Sequence, residues 1–161
     1  MFKHLFTPLR VGGMELRNRI VMLPMTTGYG EADETVGDRF IDFFAERAGG
    51  GAGLIVIPFS PVAAGSPVEP GIFDDRFLPG VRRLTAAIAA RGAKSSCQLI
   101  TSYHVILRDG MPEAVAPSEV PNQILRLTPR ALTREEILFI VEAYGSAARR
   151  VREGGFDALE V

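Results

Sequence analysis

The chain has 161 residues, of which 47% are hydrophobic and 23% are charged, and its formal net charge is −1 at pH 7. This composition is typical of one folded domain, and so small a net charge offers no basic surface for a nucleic-acid backbone. The single cysteine, Cys97, excludes an internal disulfide and an all-cysteine metal centre. We therefore expect no nucleic-acid partner, no metal site, no iron–sulfur cluster in this chain, and a reducing, cytoplasmic environment.

Membrane insertion and secretion are not expected either. The longest nearly uninterrupted apolar stretch, residues 52–59, is much shorter than a membrane-spanning helix. The N-terminal residues have no apolar core followed by a small-residue cleavage site.

Strands and helices alternate in the predicted order of elements. Residues 6–16 predict two short extended pieces around Gly12 and Gly13, which is typical of a β-hairpin. Apolar and β-branched runs then predict four strands, at residues 18–24, 53–57, 94–100 and 156–161. Helical spacing predicts helices at 38–48, at 78–90, and from the capping box Thr133–Glu136 to about Val151. This alternation favours βα units around a parallel sheet.

The apolar stripes of these helices are interpreted as core. In the third helix the stripe comprises Ile137, Ile140, Val141, Tyr144, Ala148 and Val151.

The two long connections, residues 60–76 and 101–132, contain several prolines each, which favour loops, and both follow a strand and precede a helix. The connections from helix back to strand are short and rich in glycine. This asymmetry is typical of a (β/α) barrel, whose sites are built from the loops at the carboxyl ends of the strands. A doubly wound sheet also places ligands at that edge, but residues 24–30 lack the Gly-x-Gly-x-x-Gly spacing of the dinucleotide-binding turn.

Residues 5–27 resemble the opening of the Old Yellow Enzyme family of FMN-dependent oxidoreductases. The resemblance lies in an entry hairpin, the pair Asn18-Arg19, a hydrophobic strand and the segment Pro24-Met25. It continues to the end of the chain, and residues 25–28 are similar to the branch that contains 2,4-dienoyl-CoA reductases. The further matching segments are residues 44–48, 53–56, 98–99, 116–118, 132–137 and 155–161.

This resemblance implies an α/β protein with a (β/α)8 barrel that binds FMN at its carboxyl face. Its members transfer hydride from NAD(P)H through FMN to an activated carbon–carbon double bond of a small-molecule substrate. Residues 1–161 would supply the hairpin and about the first four strands, the N-terminal half of the barrel. The second half would come from a continuation of the polypeptide, a separate subunit or a second copy, and the isolated chain is expected to be inactive.

The resemblance also implies cofactor-binding residues in the first strand and the loop after it. Leu23, Pro24, Met25 and Thr26 match the segment that packs on the isoalloxazine ring. Thr26 would face the N5 and C4-carbonyl edge and tune the flavin, since a hydroxyl can donate to a carbonyl oxygen that gains charge. The alternative is a turn threonine that satisfies the local backbone.

Two more cofactor contacts are implied on later strands. Gln98 matches the glutamine that hydrogen-bonds the pyrimidine edge of FMN, although an amide satisfied by the backbone is the alternative. Phe59 replaces a small residue whose backbone approaches the cofactor. Its ring would stack beside the flavin or fill the space that the flavin needs.

The candidates for substrate contact are weaker. Tyr29 lies in the loop after the first strand and would contact substrate or pack against the second loop. The His-x-Gly-Arg element of the family is absent after Gln98, and Tyr103 and His104 in its place would serve a substrate loop or lie on the surface. The acidic run from Glu31 to Asp38 suits the positive end of a helix dipole.

Two alternatives to a flavoenzyme stay open at this point. The first is a non-catalytic structural or interaction subunit that keeps the barrel fold and has lost FMN, which Phe59 and the absent His-x-Gly-Arg element favour. The second is a phosphate-binding barrel without flavin, since architecture does not determine function. The substrate-anchoring pair and the phosphate-binding loops of the family would lie beyond Val161.

Overall fold

The centre of the molecule is a four-stranded parallel sheet. The computed structural model describes residues 2–62, 69–101, 105–108, 111–123 and 126–161. The sheet contains β3 (Val21–Met22), β4 (Leu54–Phe59), β5 (Lys94–Leu99) and β9 (Ala158–Glu160), which lie side by side in that order. All neighbouring pairs are parallel, so every strand points its carboxyl end to the same edge.

The order of these four strands follows the order of the chain, and one helix lies between each pair. The helices are α1 (Asp38–Gly49), α2 (Leu78–Ala89) and α3 (Arg134–Glu153). A doubly wound sheet reverses its strand order at a switch point, whereas a barrel adds each strand on the same side of the last. The three βα units and the strand that follows them are therefore consecutive parts of a barrel, as predicted.

The core lies between the sheet and its helices. Phe40 and Phe44 of α1 pack with ring centroids 4.9 Å apart, and both are almost completely buried. They meet alternate residues of β4, because successive side chains of a strand point to opposite faces. The β4 residues on this helix side are Ile55, Ile57 and Phe59, each with 0% exposure.

The predicted hairpin is present at the N-terminus. It consists of β1 (Leu9–Val11) and β2 (Met14–Leu16), which pair antiparallel. Its turn places Gly12 at φ 59°, a left-handed conformation that a glycine adopts without strain. Arg17, which follows the hairpin, donates to the carbonyl oxygens of Ala48 (2.6 Å) and Ala52 (2.9 Å) and to that of Arg91 (2.8 Å). This side chain ties the hairpin to the ends of α1 and α2.

The connection 101–132 was predicted as a loop, and here the prediction is wrong. It contains a small sheet of β6 (Val105–Arg108), β7 (Met111–Ala116) and β8 (Arg130–Ala131). Arg130 donates to both Glu113 of β7 and Glu136 of α3, with N–O distances between 2.8 and 3.0 Å. The prolines of the segment favoured a loop, but Pro112 lies within β7 opposite Leu107. In the described part of the other long connection, a short 3-10 helix, Asp75–Phe77, leads into α2.

The third helix also departs from its prediction. Its predicted core stripe is not buried at Ile137 and Val141, which are 46% and 62% exposed. The buried residues of α3 are Ala147 and Val151, because only the C-terminal half of the helix packs against the sheet. Among the residues that the structure describes, none covers the N-terminal half of the stripe enough to bury it.

Candidate functional site

The candidate site lies on the face of the sheet opposite the helices, at the carboxyl ends of the strands. Strand register pairs Pro58 with Gln98, and Gln98 with Glu160. Paired residues of parallel neighbours point to the same face, so these three side chains form a row across β4, β5 and β9. The row is displaced by one position from the buried residues Phe59 and Cys97, which face the helices.

Gln98 and Glu160 contact each other within this row. The amide Nε2 of Gln98 donates to Oε1 of Glu160 at 2.6 Å. An amide carries two N–H groups and one carbonyl oxygen, so this bond still leaves a donor and an acceptor for a ligand. The partner of Gln98 is thus a side chain from the next strand, and not the backbone that the alternative interpretation assumed.

Thr26 is also held by a carboxylate. Its hydroxyl donates to Oε1 of Glu69, which joins the loop after β3 to the loop after β4. Thr26 is exposed, whereas Glu69 is only 5% exposed. The threonine is therefore more than a turn residue that satisfies its own backbone.

The two loops are joined by backbone hydrogen bonds as well. The amide of Gly71 donates to the carbonyl of Glu34 at 2.8 Å. Ser60, just after β4, exchanges hydrogen bonds of 2.9 Å with Pro70 and Ile72. The loops therefore form one rim beside the carboxyl edge of the sheet, and Thr26 lies on it.

Apolar side chains beside this rim are exposed. Leu23 is 72% exposed and Met25 is 50% exposed, while Pro24 between them is half-buried. Exposed large apolar side chains that cluster at a strand end offer a surface to a planar apolar ligand. Packing of this segment on a flavin ring stays a prediction.

Phe59 has a different position from the one expected. Its ring is fully buried on the helix side of the sheet, 6.1 Å from the ring of Phe40 and 5.7 Å from that of Phe156. The ring neither stacks beside the candidate site nor fills it, because the residue's register directs it into the core. Any contact of Phe59 with a cofactor would use its backbone.

Tyr29 packs on α1. Its ring meets Phe43 edge-on at 5.6 Å, and the guanidinium of Arg39 lies 3.8 Å from its centroid. The expected packing partner was the second loop, so the helix replaces it. Tyr103 and His104 lie outside the described residues.

The surroundings of Cys97 and of the acidic run from Glu31 to Asp38 agree with structural roles for both. Burial raises the pKa of the Cys97 thiol well above its usual range, so the residue is a small buried hydrophobe, as predicted. In the acidic run, hydrogen bonds from Thr35 lower the pKa of Asp33, and Asp38 lies in the first turn of α1.

A separate cleft lies at the other end of the sheet. It has a volume of about 460 Å³ and is lined by hairpin residues and by the first residues of β5 and β9, including Met14, Lys94 and Asp157. Because the strands point away from it, this cleft is not part of the candidate site.

The candidate site fits the ring of FMN. Leu23 and Met25 provide apolar surface, Gln98 provides a donor and an acceptor, and Thr26 provides a hydroxyl. An isoalloxazine ring combines a planar apolar body with a polar edge of alternating N–H and carbonyl groups, which these side chains complement.

Comparison with known proteins decides the family. The model of the NADH:flavin oxidoreductase / NADH oxidase family matches residues 4–161. The chain belongs to this family. The resemblance to Old Yellow Enzymes is thereby confirmed.

Curated members of the NADH:flavin oxidoreductase family match nearly all of the chain. A "Metal reductase" from Desulforamulus reducens is 42% identical over 98% of this chain and 24% of its own length. An "NADPH dehydrogenase" from Geobacillus sp. is 33% identical over 98% of this chain and 47% of its own length. The chain thus spans about a quarter to a half of these relatives.

Solved structures of the family confirm the barrel. A 2-naphthoyl-CoA reductase complex superposes with a TM-score of 0.87 and 26% identity, over 99% of this chain and 27% of its own. Morphinone reductase gives a TM-score of 0.80 and 30% identity, over 96% and 48%. An Old Yellow Enzyme homologue from Zymomonas mobilis gives 0.82 and 29%, over 96% and 47%. This chain is thus the N-terminal part of a (β/α)8 barrel.

The sequence interpretation missed both carboxylates of the site. Glu160 shares a face of the last strand with Ala158, so a period of two indicates the face of Glu160 but does not identify Gln98 as its partner. Glu69 lies in an irregular connection, where no periodic pattern indicates its partner. Of the helices in the described ranges, none has the length and apolar character needed to cross a membrane.

Proposed function

We propose that this chain forms the N-terminal half of an FMN-dependent oxidoreductase that transfers hydride from NAD(P)H to an activated carbon–carbon double bond. The observation that carries the proposal is the arrangement of Gln98, Thr26 and exposed apolar side chains at the carboxyl edge of four barrel strands. Active sites of such barrels lie at that edge.

Each residue has a defined role in this proposal. Leu23, Pro24 and Met25 bind the flat face of the ring, Gln98 pairs with its pyrimidine edge, and Thr26 contacts the opposite edge. Phe59 contributes backbone only, since its ring lies in the core. When bound, FMN supplies the redox chemistry, and these residues orient the ring and exclude water from it.

The proposed substrate is a small molecule with a conjugated double bond. The similarity of residues 25–28 to the dienoyl-CoA reductase branch favours an unsaturated acyl thioester, and Tyr29 is a candidate for substrate contact within the described residues. Its ring packs on α1, so a contact with substrate would use its exposed edge or hydroxyl.

The barrel requires a second half, which we propose comes from further polypeptide, a separate subunit or a second copy. β9 lies at one edge of the four-stranded sheet and β3 at the other, and Leu159 of β9 is 38% exposed. A strand edge presents unpaired backbone groups that a further strand would satisfy.

The position of Phe59 no longer favours the alternative of a structural subunit without cofactor. That alternative rested in part on Phe59 filling the flavin space, and that ring lies on the opposite face of the sheet. Among the residues that the structure describes, none at the carboxyl edge favours the alternative of a barrel without flavin.

The test is the visible absorbance of the complete protein. We expect flavin bands that bleach on anaerobic addition of NADH or NADPH and return when an activated alkene is added. The 161-residue chain alone should bind FMN poorly, because the resemblance implies that the phosphate-binding loops of the family would lie beyond Val161. A complete protein that shows no flavin bands after incubation with FMN would contradict the proposal.

A further inference from the structure

We propose that the outer face of α3 is a contact surface for a second copy of the protein, with the two α3 helices packed antiparallel about a two-fold axis near Ser146. The inference goes beyond the proposed function and does not depend on FMN. The contact joins two complete barrels, so it is distinct from the contact that supplies the second half of each barrel.

The first observation is an apolar run near the start of α3. Residues 137–141 are five consecutive apolar residues, which together cover more than one full turn of the helix. Leu138 and Phe139 on the outer side of this turn are 54% and 60% exposed. A helix segment that is apolar all round is typically covered on more than one side, so its outer side is a candidate contact surface.

Phe139 borders a groove on the outer surface. The groove has a volume of about 360 Å³ and lies between α3 and the loop that follows β4. Its apolar walls include Phe73, Pro61 and Val62. An exposed aromatic ring next to an apolar groove is self-complementary, because a two-fold axis can place the ring of each copy in the groove of the other.

The groove lies on the side of α3 that faces the preceding βα unit. Its walls come from the loop after β4, and Arg150 beside it donates to Asp75, just before α2. A barrel adds each unit on the same side of the last, so the unit after β9 would pack on the other side of α3. The barrel unit that follows β9 therefore does not cover this groove.

The charges beside the groove favour an antiparallel second copy. Glu142 lies four residues before Ser146 and Arg150 lies four residues after it, and all three border the groove. Residues four positions apart lie on the same face of a helix. A two-fold axis near Ser146 therefore brings Glu142 of each copy close to Arg150 of the other, whereas a parallel copy in register would bring like charges together.

The side chains nearest the proposed axis are small. Ser146 is exposed, and Ala143 lies one turn before it on the same groove. The distance between two packed helices depends on the side chains at their contact, so these residues allow a close approach. Phe139 then lies at the edge of the contact, where it reaches the end of the other copy's groove that Arg150 borders.

The first test is the dissociation constant of the dimer, measured by sedimentation equilibrium of the complete protein. Phe139→Lys should raise it at least about 10-fold, because the variant loses the ring and places a charge in an apolar groove. Glu142→Arg should raise it about 2- to 10-fold, because like charges then meet at both ends of the contact. Leu138→Lys is the matched control, since its side chain points about 100° away around the helix and should change the constant less than about twofold.

Circular dichroism establishes beforehand that each variant is folded. A complete protein that sediments as a monomer would overturn the inference, because another part of the same protein would then cover the face. A dimer whose dissociation constant is unchanged in Phe139→Lys would overturn it too. Equal losses in Phe139→Lys and Leu138→Lys would contradict the proposed orientation of the helices.

The second test leaves Phe139 in place and decides the matter if Phe139→Lys does not fold. Ser146→Cys places two thiols across the axis, where their Cα atoms would lie within the roughly 7 Å that a disulfide spans. Mild oxidation of the complete protein should give a covalent dimer that a reducing agent reverses. Cys97 is buried and does not compete for the oxidant. Asp42→Cys on the exposed surface of α1 is the control, and covalent dimers in both variants or in neither would overturn the inference.

Discussion

Gln98 donates from Nε2 to Oε1 of Glu160 across 2.6 Å, and this bond determines which way the amide points. A carboxylate accepts hydrogen bonds and does not donate them, so the nitrogen of Gln98 must face Glu160. The order of donor and acceptor that Gln98 presents to a ligand is therefore set by a neighbouring strand.

Replacing Gln98 should weaken FMN binding. We expect Gln98→Leu to raise the dissociation constant of FMN about 10-fold, because a buried ring edge loses its hydrogen bonds. Glu160→Ala should cause a smaller loss, since the amide stays but can rotate. Quenching of flavin fluorescence measures both, and Glu142→Gln on the exposed surface of α3 is the control. An unchanged constant in Gln98→Leu would refute the assignment.

Substitution of Phe59 should lower the stability of the fold and leave the affinity for FMN nearly unchanged. Phe59→Ala opens a cavity beside Phe40 and Phe156 and should lower the free energy of unfolding by about 3–5 kcal/mol. Phe59→Leu, a milder change, should leave FMN affinity within twofold of the original, roughly the spread of a neutral substitution. Urea unfolding and flavin titration separate the two effects. A large loss of affinity in Phe59→Leu would place the ring in the site after all.

Arg17 should stabilise the hairpin and the two helix ends that it contacts. Arg17→Met keeps most of the apolar stem and removes hydrogen bonds to three carbonyl oxygens. We expect a loss of about 1–3 kcal/mol in the free energy of unfolding, measured in urea. Arg10→Met is the matched control, because the bond that Arg10 makes among the described residues is local, to Gly12. Equal losses in both variants would contradict the role of Arg17.

Asp75 should make the free energy of unfolding fall at acidic pH. Hydrogen bonds from Arg150 and then Arg149 lower the pKa of Asp75 below its ordinary value of 3.8. A lowered pKa in the folded state means that the stabilisation is complete above pH 3.8 and is lost as the pH falls through the lowered value. Asp75→Asn should remove this part of the acid dependence.

Urea midpoints measured on both sides of that pH test the prediction for Asp75. Asp42→Asn, at an exposed position of α1, should leave the acid dependence as it is. If the urea midpoint of Asp75→Asn falls with pH as steeply as that of the original protein, other carboxylates are responsible for the acid dependence.

Local patterns were enough to predict the hairpin, the strands of the central sheet, the three helices and a (β/α) architecture. The run from Leu54 to Ile57 could only be a buried strand, and Thr133 with Glu136 marks the start of α3 as the structure has it. The sequence did not predict the side-chain partners at the site, because Gln98 and Glu160 are 62 positions apart and Thr26 and Glu69 are 43 apart. Pairings at that distance depend on the closure of the sheet, which periodicity does not encode.

The wrong predictions have physical reasons too. The small sheet of β6 to β8 was missed because its prolines were interpreted as loop signals, although Pro112 fits within the antiparallel pair. The stripe on α3 follows helical spacing correctly, but spacing reports which face is apolar and not what covers it. Ile137 and Val141 are accordingly apolar and exposed.

Neighbouring residues of β4 point to opposite faces of the sheet and have different packing partners. Ile55, Ile57 and Phe59 pack against the helices, whereas Val56 and Pro58 lie on the face of the candidate site. A substitution on one face therefore leaves the other nearly untouched. The lining of the candidate site at Val56 and Pro58 can therefore change without a change in the residues that pack β4 against the helices.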